Sequence, residues 1–271
     1  MTLIMSASAM AQTAAGSQCR AQYDKLYFTD SLGTVLPYRL LRPPTGDGGG
    51  TSAHKYPVLL FLHGAGERGG DNETQLSYID VVFAAPKFRQ EHPCYVIVPQ
   101  CAEQYRWCET DWTLPYHTMP QNISKYLHAA NALLDSVAAL PDADTTRLYV
   151  TGMSMGGFGT WDIITRYPDK FAAAMPICGG ADEKMARRLV NIPIRTFHGT
   201  IDKLVPVGRS RNITNAIKSQ GGKKIEYTEF PKMGHLIWNK VYNDYSNLEW
   251  LFGQERGKSN EESTNQKSSN Q

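Results

Sequence analysis

The residues with the clearest chemical potential form the run Gly152-Met153-Ser154-Met155-Gly156-Gly157, which fits the pattern G-x-S-x-G. A serine hydroxyl attacks a carbonyl only when a base removes its proton and an acid holds that base in one tautomer. Where such a serine follows a strand and opens a helix, the backbone turns sharply and lifts the hydroxyl above the sheet edge. The spacing meets that condition, because residues 147–151 read as a strand and residues 155–167 as a helix. In this arrangement the acid and then the histidine follow the nucleophile along the chain. Asp202, in His198-Gly199-Thr200-Ile201-Asp202, and His235, in Lys232-Met233-Gly234-His235, stand in that order. Each lies just past a run that reads as a strand.

Acyl transfer also needs backbone amides aimed at the developing oxyanion. Met155, directly after the nucleophile at a helix start, supplies the first. The second is expected from the loop after the strand that ends at His63. That loop reads His63-Gly64-Ala65-Gly66, and Ala65 is the expected donor, its glycine neighbours letting the backbone approach the carbonyl.

These residues need strands that bring them to one edge. Residues 57–63 form a continuous apolar run of the kind found in a central strand buried on both faces. Tyr95–Pro99, residues 148–152, 172–177 and 192–197, and Ile225–Phe230 complete the set. Val35–Leu41 reads as an early strand, after a short one at residues 26–29. Helical patterns lie over residues 120–139, 155–167, 209–219 and 241–252. In the first of these, Ile123, Leu127, Ala130, Leu134 and Val137 keep helical spacing. Strands alternating with helices imply an α/β fold with a mostly parallel sheet covered on both faces. The chemistry is then expected at the C-terminal strand ends.

The 271 residues carry 28 basic and 26 acidic side chains, a formal net charge of +2, so no strong field attracts nucleic acid or an anionic surface. No apolar run approaches the roughly 20 residues of a bilayer span. Residues 1–11 are small and apolar and end in Ala9-Met10-Ala11, the form of a secretory cleavage site. They are read as a signal remnant, which places the protein outside the cytoplasm or in a periplasm; a frayed end of a cytoplasmic protein is the alternative. Residues 12–253 are read as one catalytic domain and 254–271 as a disordered polar tail. The stretch 43–54 is read as a flexible loop.

Several rival chemistries lose their support. Gly64-Ala65-Gly66-Glu67-Arg68-Gly69 matches G-x-G-x-x-G after a strand, but the following residues read as loop and no acid ends the next strand, so no dinucleotide is expected. No glycine loop is followed by G-K-[ST], so no P-loop is present. The histidines at 54, 63, 92, 117, 128, 198 and 235 show no H-x-x-x-H or H-x-H spacing, and neither a metal nor any other cofactor is expected. His63 and His198 are read as braces for loops, and His54, His92, His117 and His128 as surface residues. Glu67 and Arg68 are read either as holding the oxyanion turn or as solvent-exposed. Among Cys19, Cys94, Cys101, Cys108 and Cys178, a bridge between some pair of the last four and buried free thiols are both compatible with the spacing.

With these residues assembled, the chain resembles an α/β-hydrolase, and more narrowly the secreted serine esterases grouped with feruloyl and acetyl-xylan esterases and with the "predicted peptidase" and phospholipase/carboxylesterase groups. The resemblance spans residues 56–252. It rests on FLHGAGERGGDN (61–72), VPQC (98–101) with Arg106-Trp107, RLYVTGMSMGGFGTWDIITRYPDKFAAAMPICGG (147–180), HGTIDKLVPV (198–207) and KMGHLIWNKVYND (232–244). It implies a carboxylic ester hydrolase acting through an acyl-enzyme on feruloyl or acetyl esters of plant polysaccharide. It also suggests that Trp107 and Trp161 lie near the substrate, with helix packing the competing role for Trp161. Cys101 and Cys108 depart from the mainly polar segment expected there. A serine peptidase related to prolyl oligopeptidases, and a catalytically silent binding module on the same fold, are the alternatives. Oligomeric state is not legible.

Overall fold

The computed structural model describes residues 16–44 and 55–257. The leader expected at residues 1–11, nearly all of the 43–54 loop and the tail from 258 lie outside the described residues. Eight strands form one sheet: β1 (Tyr23–Thr29), β2 (Val35–Leu41), β3 (Tyr56–Leu62), β4 (Tyr95–Pro99), β5 (Ala143–Met153), β6 (Ala173–Ile177), β7 (Ile194–Gly199) and β8 (Ile225–Phe230). Their spatial order is β1-β2-β4-β3-β5-β6-β7-β8. β1 and β2 pair antiparallel, β2 joins β4 antiparallel, and every pairing from β4 to β8 is parallel.

The burial patterns explain this order. Five or more consecutive buried residues in β3, β4 and β6 suit only the middle of a sheet covered on both faces. β1 and β8 each hold a single buried residue followed by exposed and half-buried ones, and occupy the two edges. Within β3 the two-residue period divides the side chains cleanly: Val58, Leu60 and Leu62 enter one core, Leu59 and Phe61 the other.

Seven helices of the described residues matter here: α1 (Asp80–Phe83), α2 (Pro86–Glu91), α3 (Lys125–Ala138), α4 (Met155–Arg166), α5 (Gly208–Ser219), α6 (Trp238–Asn243) and α7 (Tyr245–Phe252). α3, α4 and α5 supply the first core, through residues such as Leu127, Leu134, Ile163 and Ile213. α1, α2, α6 and α7 supply the second, through Phe83, Phe88, Val241 and Leu251. The helix expected from residue 120 begins only at 125, because the Ser124 hydroxyl accepts the Leu127 N–H at 3.2 Å and so caps it. The helix expected over 241–252 is two helices that meet at Asp244, whose carboxylate caps α7.

The polar segment after residue 253 also differs from expectation at its start. The backbone N–H of Arg256 bonds Thr146 O at 2.9 Å, and its guanidinium reaches Asp169 O and Thr145 O. The folded body therefore extends a few residues past 253, held by backbone carbonyls rather than by apolar burial. No helix of the described residues is long and apolar enough to cross a membrane.

Candidate active site

Ser154 stands where β5 turns into α4, with φ 54° and ψ −117°. A non-glycine residue in this region is strained, and close packing on both sides imposes the conformation. A Cβ at Gly156 would collide with the carbonyl of Leu62, and one at Gly152 with the carbonyl of Gly156. The two glycines thus let α4 sit against the end of β3, and the turn has no room to relax.

The loops after β7 and β8 meet for a similar reason. A Cβ at Gly199 would overlap the carbonyls of Gly234 and Met233. The Ile201 N–H donates to Met233 O at 3.0 Å, and the Lys232 N–H to the Thr200 hydroxyl at 2.8 Å. This seam brings Asp202 and His235 together: His235 Nδ1–H donates to Asp202 Oδ2 at 2.6 Å, and the Ser154 hydroxyl lies 2.8 Å from His235 Nε2. Nδ1 therefore carries the proton and Nε2 is free to take one from Ser154.

Asp202 is held from every side. Its Oδ1 accepts the N–H groups of Leu204 and Val205, each at 2.9 Å. His198 Nε2 lies 3.2 Å from Oδ2 and 3.0 Å from Val205 O, so one N–H is shared between the two oxygens. Burial opposes ionisation of Asp202, but hydrogen bonds from His198, His235 and Val205 outweigh it and hold the carboxyl well below the usual carboxylate range. The His198 contact goes beyond the loop brace expected from the sequence. The signal for it was the i,i+4 spacing of His198 and Asp202 around the strand end.

On the other flank, Ala65 opens the short 3-10 turn Ala65–Glu67 and Met155 opens α4. Amides in those positions have no acceptor within their own helix. The Gly64 backbone passes close to the nucleophile, a Cβ there lying 3.7 Å from Ser154 Cβ. His63 braces the turn, donating from Nδ1 to Gly64 O at 2.6 Å and accepting the Cys101 N–H on Nε2 at 3.0 Å. Burial pushes its pKa down to about 4, so it stays neutral in this role. Arg68 adds a bond to Ala65 O at 2.9 Å, while Glu67 is buried and its carboxyl raised by that burial.

Both tryptophans expected at the substrate are in the core. Trp107 is fully buried, its indole N–H donates to His63 O at 3.0 Å, and a Cβ at Gly159 would overlap its Cβ. Trp161 is equally buried within α4. Each is a packing residue, because the polar loop around Trp107 folds it beneath His63. Five residues on, the half-buried Trp112 packs on the small cluster of Cys108, Phe158 and Val205, with the Arg106 guanidinium 4.3 Å from its ring centre. All five cysteines are free thiols. Of the histidines expected at the surface, His92 stacks on Phe252, His117 is half-buried and His128 pairs with Asp30, while His54 lies outside the described residues.

A thiol, a carboxylate and an imidazole from Cys178, Asp202 and His235 lie within 4.8 Å of one another. Asp202 and His235 are already joined by the triad hydrogen bond, and burial raises the Cys178 thiol far above its ordinary pKa. The carboxylate and imidazole are therefore already engaged with each other and with Ser154, and burial keeps the thiol beside them protonated.

The parallel sheet, the strained serine and the ordered triad define an α/β-hydrolase with a serine-centred site. The chain belongs to the phospholipase/carboxylesterase family, whose profile matches residues 51–248. A thermostable esterase of known structure is 38% identical with a TM-score of 0.80, the match covering 88% of this chain and 64% of that one. Poly(3-hydroxyalkanoate) depolymerase C of Paucimonas lemoignei is 46% identical over 133 residues, 46% of this chain and 28% of that protein. An uncharacterized secreted protein of Arthroderma benhamiae is 26% identical over 253 residues, 79% of this chain and 25% of that protein. The chain thus spans about a quarter of the length of these curated relatives.

Proposed function

We propose that the protein is a serine carboxylic ester hydrolase working through an acyl-enzyme. The observation that carries this reading is the unbroken relay from Ser154 through His235 to Asp202, at 2.8 and 2.6 Å. His235 takes the Ser154 proton as the hydroxyl attacks the ester carbonyl, and Asp202 stabilises the imidazolium that forms. The amides of Ala65 and Met155 receive the oxyanion. His235 then protonates the departing alcohol, and in the second half it activates water to free the acid and regenerate Ser154. No step requires a cofactor. The intact, pre-formed relay also argues against a silent binding module.

Two substrate classes fit the site. Feruloyl or acetyl esters on plant polysaccharide follow from the family resemblance and from a charge of only +2, which does not select for a polyanion. The burial of Trp107 and Trp161 withdraws the stacking surface that an aromatic acyl group was expected to use. Hydroxyalkanoate esters are the second class. They are supported by the relative from Paucimonas lemoignei and by an apolar rim beside the triad, where Ile201, Leu204 and Leu236 are 56, 59 and 71% exposed. The site at residues 9–11 and the secreted relative favour action outside the cytoplasm.

Hydrolysis of p-nitrophenyl butyrate, methyl ferulate, acetylated xylan, a 3-hydroxybutyrate trimer and a proline-containing peptide amide tests the reading. Turnover of at least one ester well above that of Ser154→Ala is expected. Faster cleavage of the amide would replace the esterase with a peptidase, and no turnover beyond Ser154→Ala would overturn the enzyme.

A further inference from the structure

Arg209, at the start of α5, is fully buried, and none of its three guanidinium nitrogens has a hydrogen-bond partner. Its Cζ lies 4.9 Å from the ring centre of Phe158, and its side chain packs on Gly180, where a Cβ would come 2.8 Å from its own Cβ. A buried guanidinium without an acceptor is costly, and proteins rarely leave one. Nearby charge does not satisfy it: Glu183 and Asp111 act on it through space, but neither forms a hydrogen bond or ion pair with it. Glu183 Oε1, His117 Nδ1 and Thr110 Oγ1 are likewise buried and unpartnered.

The position is tied to two members of the triad, Ser154 and Asp202. Phe158 follows Ser154 by one helical turn, its N–H donating to Ser154 O at 3.1 Å. Ser210, the next residue after Arg209, lies 2.8 Å from His198 Nδ1, and His198 touches the Asp202 carboxylate. Val205 binds Asp202 through its N–H and packs with Phe158, Cys108 and Trp112. The guanidinium therefore lies against Phe158, a member of the small apolar cluster that packs between Ser154 and the Asp202 loop.

We propose that Arg209 is a specificity residue that receives a carboxylate carried by the ester substrate. This rests on the reading of the site as an ester hydrolase. A carboxylate matches the planar fork of the guanidinium bidentately and supplies the acceptors that the fold withholds. The irregular segment of residues 108–117 runs close to the guanidinium, with Cys108, Asp111 and His117 in electrostatic reach. Entry of the substrate carboxylate requires that segment to yield. The carboxylate has two sources, the far end of the acyl group or the departing hydroxy acid.

The test pairs carboxylate esters with neutral ones of matched size. Mono-p-nitrophenyl adipate against p-nitrophenyl hexanoate reads the acyl side. O-butyryl-3-hydroxybutyrate against its primary amide reads the alcohol side. The wild type is expected to prefer the carboxylate in one pair, which identifies the source. Arg209→Met should then lower kcat/KM for that ester by about 10- to 100-fold, chiefly through KM, with the neutral partner changed less than about threefold. Equal losses on both members, or no preference in the wild type for either carboxylate, would overturn the proposal. Hydrolysis of the neutral esters decides separately whether the protein is an esterase at all.

A readout independent of turnover and of the folding of Arg209→Met uses Ser154→Ala. Its Tm should rise more with O-butyryl-3-hydroxybutyrate or monomethyl adipate than with their amides. Equal shifts contradict the assignment, as would an equal shift from methyl 6-hydroxyhexanoate, which offers a hydroxyl where the carboxylate stands.

Discussion

The two flanks of the active edge are built on opposite principles. On one, the side chains of the relay and its brace are matched: His235 to Asp202 and Ser154, Asp202 to two amides and a second imidazole, His63 to Gly64 and Cys101. On the other, a few residues away, Arg209, Glu183, His117 and Thr110 keep buried polar atoms with no partner. The difference separates what must be ready before any substrate arrives from what the substrate itself completes. A relay works only if it is pre-organised, so the fold saturates it. A specificity pocket gains selectivity when its polar groups are satisfied by the right ligand alone.

The largest effects belong to the saturated flank. Ser154→Ala or His235→Ala should lower kcat by roughly a million-fold and Asp202→Ala by about ten-thousand-fold, with the double variants little worse than the singles. Steady-state kinetics on p-nitrophenyl butyrate check this, and additive losses would break the picture of one shared machine. Next comes Arg209→Met, whose loss should be confined to carboxylate-bearing esters. Activity on the neutral esters that fell as far as in the triad variants would erase the contrast between the flanks.

His198→Gln sharpens the boundary. His198 touches no substrate; it acts through Asp202 and is a positioning residue. Its loss should lower kcat by about tenfold with KM changed less than about twofold, because one hydrogen bond to a charged group is removed and others hold the carboxylate. A fall in KM-dependent discrimination instead would move His198 to the specificity side.

The last effect concerns pH and stability rather than rate. His63 is neutral in the fold, with its pKa pushed down to about 4 against an ordinary value of 6.5. Between those values the unfolded chain binds the extra proton, so stability is complete above 6.5 and declines as pH falls toward 4, by about 3 kcal/mol. Asp202 acts in a lower window: its depressed carboxyl stabilises the fold above the ordinary carboxylate pKa, and that contribution is lost as pH falls further. Melting temperatures from pH 7 to 3 should therefore decline in two stages, and the second should be shallower in the Asp202→Asn protein, where Asp30, Asp71 and Asp144 still contribute to it.

How much of this was legible in the sequence follows the same division. Short runs rich in apolar, aromatic or β-branched residues announce strands, so Val35–Leu41, Tyr95–Pro99 and Ile225–Phe230 were readable to the residue, though only Tyr95–Pro99 of the three is buried throughout. That Ser154, Asp202 and His235 would meet was readable because a sharp strand-to-helix turn demands glycines at fixed positions and the partners must follow strand ends. Ends of helices were less so: Ser124 and Asp244 cap helices by side-chain bonds that periodicity does not register. Trp107 was misplaced because a polar neighbourhood in sequence says nothing about which way a loop folds its largest side chain. Arg209 was invisible for a simpler reason, since an arginine at a helix start reads as solvated until the fold closes over it.

The central claim, a covalent acyl-enzyme on Ser154, is tested most directly by trapping it. The protein is mixed with p-nitrophenyl acetate, quenched in acid within the first turnover, and digested for mass spectrometry. The account predicts a gain of about 42 Da, one acetyl group, on the peptide that carries Ser154, together with a burst of nitrophenol and no adduct in Ser154→Ala. Steady hydrolysis with no adduct on Ser154, or an undiminished rate in Ser154→Ala, would contradict it.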